Sequence, residues 1–358
     1  MKIAVFHDYF VTLGGAEKVA ITIAEALGAD LITTVLHPEL EKLKINLISL
    51  GEVPTSYPMR QIFASLKFFR DEFADIYDFF IFSGNFSQYS AVKNKPNLWY
   101  CHAPYRPFYD LYPKIFESLP PILRESAKAW AFFHRFFDKK SLEHVEKILA
   151  NSKNTRRRIL RYYSRDSKVV YPPINFKKFK FKEYGDFWLS VNRISPEKRI
   201  NLQIDVFRRI PEEKLIIVGE TTSSFGEKYK AKVLHNIPDN VEIRGFIPEN
   251  ELLDLYSRCK GVICTALDED FGMVPLEAMA SGKPVVATRE GGYAESVVHN
   301  VTGKLVGPTV EEIKNAVLEV SRNPEKYKKA CIKRAKLFDK PIFIRRIRKE
   351  ISYLLQRL

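Results

Sequence analysis

Short apolar runs alternate with amphipathic stretches along nearly the whole chain. Ile3-Ala4-Val5-Phe6 is the first run, within 3–8. Comparable ones recur near 30–35, 45–50, 78–84, 97–102 and 148–152, then near 186–192, 214–219, 241–246, 261–266 and 284–288. Runs of this length, bounded by turn residues, suit strands buried on both faces of a parallel sheet. The intervening stretches carry helical periodicity, clearest from 15 to 27 and onward from Thr309, with further helices expected from Glu325 and Pro341. Such alternation predicts a doubly wound α/β architecture. The pattern restarts at Phe187, after the stiff linker Tyr171-Pro172-Pro173. At 358 residues the chain fits two cores better than one. The expected division is 1–172, 173–340 and a last helix over 341–358.

Helix signals sharpen this outline. Thr12-Leu13-Gly14-Gly15 turns from the first strand into the helix that ends near Leu27, and the glycines let a ligand approach the backbone. Ser152 is placed to cap a helix beginning near Lys153. Pro275 to Ser281 suits a short helix, with proline in its first turn and Gly282 as a left-handed stop. Two carboxylates bracket its start. Glu269 lies on the loop leaving the strand 261–266, and Glu277 lies one turn into the helix. Free N–H groups at a helix start together with carboxylates suit a ligand that is part phosphate and part polyhydroxyl.

The stretch Glu269 to Val286 resembles the E-x7-E signature of the retaining glycosyltransferases of family 4, which have the GT-B fold. Gly14-Gly15-Ala16-Glu17, Val191-Asn192-Arg193-Ile194-Ser195-Pro196-Glu197-Lys198 and Arg244-Gly245-Phe246-Ile247-Pro248 agree with the family in the same order. Asp270 departs from it, since glycine is common there. The resemblance implies two Rossmann-like domains facing a central cleft, the first binding the acceptor and the second the nucleotide-sugar donor. It also implies a last helix that crosses back onto the first domain. It assigns the donor diphosphate to Arg193, Lys198 and the Gly14-Gly15 amides, and the nucleotide to Gly219, Phe246 and Ile247. Phe271, Gly272, Met273 and Val274 complete the donor loop. Glu277 is the expected acceptor for ribose hydroxyls, and Glu269 for sugar hydroxyls.

His102 follows the strand Asn97–Cys101, and a residue at a strand's carboxyl end faces the ligand crevice in such sheets. The residues alone favour a loop histidine bonded to its own backbone. The resemblance gives His102 an active-site role, and His7 and His37 are read as ordinary histidines.

Charge adds partners to consider. The net charge is +14, and 12 Lys and Arg lie between Lys326 and Leu358 against only Asp339 and Glu350. Nucleic acid is not expected, because no zinc, RNP or helix-turn-helix signature appears. An anionic membrane surface gains from 105–145, where Tyr105, Phe108, Tyr109, Tyr112, Phe116 and Trp130 are followed by Phe132, Phe133, Phe136 and Phe137, with lysines and arginines between them. A core helix with a charged outer face has the same pattern. Phe63, Phe68 and Phe69 form a second candidate patch. No run approaches the roughly 20 apolar residues of a membrane helix, and Met1-Lys2 leads straight into the first strand. Four cysteines without a C-x-x-C pair read as reduced thiols. The expected setting is cytoplasmic, with peripheral contact on the inner membrane face.

Competing motifs are weak. Asp268-Glu269-Asp270 mimics a D-x-D metal site and Asp270-Phe271-Gly272 a kinase triplet, but the kinase lysine strand and catalytic loop are missing. No G-x-G-x-x-G follows the first strand, which argues against a dehydrogenase. The reading is a retaining transferase that moves a hexose, best read as mannose from GDP-mannose, to a hydroxyl of a glycan or lipid-linked acceptor. No metal and no cofactor beyond the nucleotide sugar are expected. UDP-glucose or a UDP-N-acetylhexosamine is the rival donor. A sugar-nucleotide 2-epimerase and a non-catalytic nucleotide-sugar-binding or membrane-tethering module are the rival functions.

Overall fold

A computed structural model describes residues 1–56, 58–221 and 224–357. They form two units, Met1–Pro172 with Phe343–Leu358, and Pro173–Ile342. The first unit holds strands β1 (Ile3–His7), β2 (Asp30–Thr33), β3 (Leu47–Ser49), β4 (Phe79–Ser83), β5 (Asn97–Cys101), β6 (Lys147–Ala150) and β7 (Lys168–Val169). Its helices are α1 (Gly15–Leu27), α2 (Met59–Arg70), α3 (Tyr112–Ser118), α4 (Pro121–Leu142) and α5 (Lys153–Tyr163). The sheet runs β3-β2-β1-β4-β5-β6-β7 with every pairing parallel. Phe6, Phe68, Phe80, Phe82 and Trp99 lie in its core. The order reverses between β1 and β4, and there the carboxyl ends of the strands open a crevice.

The second unit repeats the plan. Its strands are β8 (Phe187–Val191), β9 (Lys214–Val218), β10 (Val241–Ile243), β11 (Gly261–Cys264), β12 (Val285–Thr288) and β13 (Gly303–Val306), ordered β10-β9-β8-β11-β12-β13 and all parallel. Its helices are α6 (Ile200–Phe207), α7 (Ser224–Leu234), α8 (Glu249–Arg258), α9 (Val274–Ala280), α10 (Tyr293–Ser296), α11 (Val310–Arg322) and α12 (Lys328–Lys336). Here the order reverses between β8 and β11, the two strands that lead into the Arg193–Lys198 and Glu269 loops.

The last helix, α13 (Lys340–Leu355), starts in the second unit and enters the first at Phe343 rather than at 341. The delay has a cause: Ile174 donates to the Phe338 carbonyl and Lys340 to the Ile174 carbonyl, which ties 338–340 into the second unit. Within the first unit, Glu350 is buried and pairs with Lys147 and Lys168, each at 2.7 Å. Burial works against its charge, but the two lysines outweigh it and hold the carboxyl below its ordinary value. Arg348 donates to the Ala26 carbonyl at 2.7 Å.

Two strands carry no legible signal. Lys168–Val169 is only two residues long and reads as linker, and Gly303–Val306 has a lysine at its centre. The caps follow the expected chemistry. Ser152 accepts from the Thr155 amide at 2.9 Å. After α9, Gly282 donates to Met279 and Lys283 to Ala278, the paired bonds of a left-handed helix stop.

Candidate active site

In the second unit, three loops leave the carboxyl ends of β8, β11 and β12 and are tied to one another. Leu267 donates to the Glu197 carbonyl and Gly292 to the Glu269 carbonyl, both at 2.7 Å. Thr265 Oγ1 donates to the Lys198 carbonyl at 3.0 Å and accepts from Gln203 Nε2 at 2.8 Å. The backbone of Lys198 is therefore fixed before its side chain does anything. Its Nζ lies 2.6 Å from Glu269 Oε2, with both side chains 15% exposed. Beside this pair, the guanidinium of Arg199 binds the carboxylate of Glu290.

This arrangement differs from the one the sequence suggests. The resemblance gives Lys198 to the diphosphate and Glu269 to the sugar, yet without a ligand they neutralise each other. Arg193, the expected companion of Lys198, is exposed and makes no ion pair among the described residues. Gly219 is needed for the fold itself. At φ +145° it brings the end of β9 so close to Asn192 that a Cβ would fall 1.7 Å from the Asn192 carbonyl oxygen. Its amide donates to Gly245, joining the loop that displays Phe246, which is 84% exposed, and the half-buried Ile247. The Phe271 side chain is core, packed on Phe338, so only its backbone can face a ligand. Gly272, Met273 and Val274 are half-buried at the start of α9. Glu277, in the first turn of α9, accepts from the Tyr256 hydroxyl at 2.7 Å.

In the first unit, the switch-point crevice gathers His7, Asp8, Glu17, Ser83 and His102. His102 Nε2 lies 2.9 Å from Ser83 Oγ, and its ring meets Tyr100 edge-on at 5.2 Å. Its surroundings desolvate it, and His7 adds repulsion, so its pKa falls to about 3 despite Glu17. His7 goes the other way. Burial opposes its charge, but Glu17, 3.9 Å from Nε2, outweighs burial and raises it above 6.5. Asp8 accepts from the amides of Asn85, Phe86 and Ser87 at 2.6–2.9 Å, yet burial still lifts it above the ordinary carboxylate value. Gly14 and Gly15 begin α1 as expected. A Cβ on Gly14 would meet Glu17 Oε2 at 2.9 Å, so the chain's own carboxylate lies at the helix start.

His7 reads as ordinary in the sequence, and the structure puts it in the charged cluster beside His102. The rule that singles out His102 finds it too, because it ends β1 as His102 follows β5. His37 does what an ordinary loop histidine does, accepting from the Glu39 amide. Tyr256, Tyr293, Arg199 and Glu290 have no sequence signal. Among the described residues, no group of three or more His, Cys, Asp or Glu is placed to hold a metal ion, and no helix is long and apolar enough to cross a membrane.

Comparison with known proteins places these residues in context. Residues 173–338 match the family described as Glycosyl transferases group 1. The chain is similar to an uncharacterized glycosyltransferase of Methanocaldococcus jannaschii, 28% identical over 57% of this chain and 56% of that protein, so it spans little more than half of that relative. It is similar to the alpha-1,3/1,6-mannosyltransferase of Dictyostelium discoideum at 25% identity, over 93% of this chain and 92% of that one. The crystal structure of Anabaena HepE in complex with UDP and glucose has the same fold, with TM-score 0.80 and 21% identity over 98% of this chain and 99% of that one.

The two histidines make opposite predictions. His102 stays neutral until about pH 3, while His7 keeps its proton above pH 6.5. A depressed His102 contributes stability above 6.5, and that contribution is lost as pH falls toward 3. Replacing His102 with Gln is expected to flatten the acid loss of stability over this window. Long-range proton–nitrogen NMR correlations read both titrations. Ordinary titration of His102, or a His7 that deprotonates first, contradicts these electrostatics.

Proposed function

Because residues 173–338 match the family described as Glycosyl transferases group 1, we propose that the chain is a retaining hexosyltransferase whose second unit binds a nucleoside diphosphate sugar. The observation that carries this reading is the Lys198–Glu269 pair at the β8/β11 switch point, with Glu277 at the start of the next helix. Donor diphosphate takes Lys198 from Glu269, and Arg193 adds a second cation. The freed Glu269 carboxylate accepts from sugar hydroxyls and orients the anomeric carbon. Glu277 accepts from the ribose hydroxyls. As the bond from anomeric carbon to phosphate oxygen breaks, its electron pair goes to the diphosphate, where Lys198 and Arg193 stabilise it. The acceptor oxygen bonds the anomeric carbon on the same face, and its proton passes to the departing phosphate. The first unit serves the acceptor, with His102 as a neutral group able to accept a hydrogen bond.

We favour mannose from GDP-mannose, since the similar Dictyostelium enzyme is a mannosyltransferase. UDP-glucose is the second candidate, because the Anabaena structure holds UDP and glucose. The reaction as proposed needs no metal. Glu269→Gln is expected to cut turnover at least tenfold without weakening nucleoside diphosphate affinity, which rises if anything because the diphosphate no longer competes with a carboxylate for Lys198. Glu277→Gln is expected to weaken that affinity about tenfold, the scale of one lost charge-assisted bond. Calorimetry with GDP and UDP, and transfer assays with labelled GDP-mannose and UDP-glucose with and without EDTA, test this. Equal effects of both changes on diphosphate affinity contradict the division. An epimer formed from donor alone favours the epimerase, binding without turnover favours the tethering module, and loss of activity in EDTA restores a metal role.

The acceptor reading includes peripheral contact with an anionic membrane. The exposures narrow the patch. Phe108 and Tyr109 are buried with Trp130 packed against them, and Phe68 is core, so these leave the candidate surface. Phe132, Phe133, Phe136 and Phe137 of α4 are each more than half exposed, and Phe63, Leu66 and Phe69 of α2 nearly half. Both helices pack on the turn Ser87–Val92. Lys128, Lys139 and Lys140 accompany the α4 phenylalanines, and each basic residue near such a surface contributes about 1 kcal/mol. Co-sedimentation is expected with anionic but not neutral liposomes, falling at high salt, and reduced in Phe132→Ser/Phe136→Ser. Equal recovery on both lipids, or none on either, contradicts it.

A further inference from the structure

Each carboxylate of the Glu269/Glu277 pair is met by the hydroxyl of a buried tyrosine, and the two tyrosines come from different helices. Tyr256 on α8 is fully buried, its ring edge-on to Phe179 with centroids 5.7 Å apart. Its hydroxyl donates to Glu277 Oε2 at 2.7 Å. Tyr293, the first residue of α10, is 2% exposed, and its hydroxyl lies 3.4 Å from Glu269 Oε2. The ring of Tyr293 takes the space beside Gly272: a Cβ there would fall 2.5 Å from its Cε1. Glycine at φ +82° is what lets the loop pass over this ring.

The direction of these bonds is fixed by chemistry. An ionised carboxylate can only accept. Burial first, and the neighbouring carboxylate second, keep both phenols protonated. Each phenol is therefore a permanent donor aimed at one carboxylate oxygen. For Glu277 that oxygen is Oε2, and Tyr256 is its only side-chain partner among the described residues. Glu269 has a second restraint on the same Oε2, the Lys198 ammonium.

We propose that Tyr256 and Tyr293 are positioning residues for the two carboxylates, each fixing the orientation of its carboxylate through Oε2. The inference rests on the reading that Glu277 binds the nucleotide and Glu269 the sugar. Tyr256 acts on ground-state nucleotide binding. Tyr293 acts on the sugar and so on turnover. Its longer bond has Lys198 as a competitor until diphosphate takes the lysine away.

Phenylalanine keeps both rings and removes only the hydroxyls. GDP affinity, or UDP affinity if GDP does not bind, is measured by calorimetry for the parent chain, Tyr256→Phe, Glu277→Gln and the double variant. Tyr256→Phe is expected to weaken binding about tenfold, near the effect of Glu277→Gln. The double variant is expected to bind no more weakly than Glu277→Gln alone, the coupling of two groups that act as one. If Glu277→Gln leaves affinity unchanged, the assignment of Glu277 to the nucleotide fails. If Glu277→Gln weakens binding while a folded Tyr256→Phe does not, or if the two effects add, the positioning role is overturned. Tyr293→Phe gives an independent arm: kcat falls with KM for donor unchanged, whereas a change in KM alone overturns its part.

Discussion

The ion pair between Lys198 and Glu269 sets the terms for the second unit. Two opposite charges, each largely removed from water, need each other, and removing either leaves an uncompensated charge. Everything around the pair fixes its geometry. Thr265 holds the Lys198 carbonyl, Glu197 receives the Leu267 amide, Gly292 binds the Glu269 carbonyl, and Arg199 with Glu290 spans the β8 and β12 loops. Three loops from three strands converge on one charge pair, so the unliganded site is already ordered. The same geometry makes it responsive: an anion that offers Lys198 a better partner frees a carboxylate in the same event.

The first unit handles charge differently, with two histidines meeting at its switch point. His7, Asp8 and Glu17 crowd the end of β1 and the start of α1, and the result is one histidine whose pKa is raised beside one whose pKa is depressed. Neutral His102, bonded to Ser83, accepts or donates a hydrogen bond without bringing a charge. Glu17 at the start of α1 complements the positive end of that helix.

How much of this the sequence makes legible depends on how local each signal is. Parallel strands buried on both faces read as continuous apolar runs, and eleven of them are visible that way. Lys168–Val169 and Gly303–Val306 are not, because two residues, or four with a lysine among them, carry no such run. Caps at Ser152 and Gly282 are visible because the capping residue lies next to what it caps. Glu269, Glu277 and Lys198 are visible through the resemblance, but their pairing is not, since Lys198 and Glu269 lie 71 positions apart. Tyr256 and Tyr293 look like any core aromatic in sequence, and only the direction of their hydroxyls sets them apart. The aromatic segment 105–145 is ambiguous for the same reason, because a helix's periodicity does not say which neighbours cover it. Packing puts Phe108 and Tyr109 inside and leaves Phe132 to Phe137 partly outside.

In the proposed reaction, competition between donor diphosphate and Glu269 for one ammonium links binding to chemistry. A crystal structure of the chain with GDP or UDP bound decides it. Lys198 Nζ, 2.6 Å from Glu269 Oε2 without ligand, is expected to move to about 2.8 Å from a phosphate oxygen and to leave hydrogen-bond reach of Glu269. A nucleotide bound with its diphosphate away from Lys198, and the ion pair intact, would contradict it.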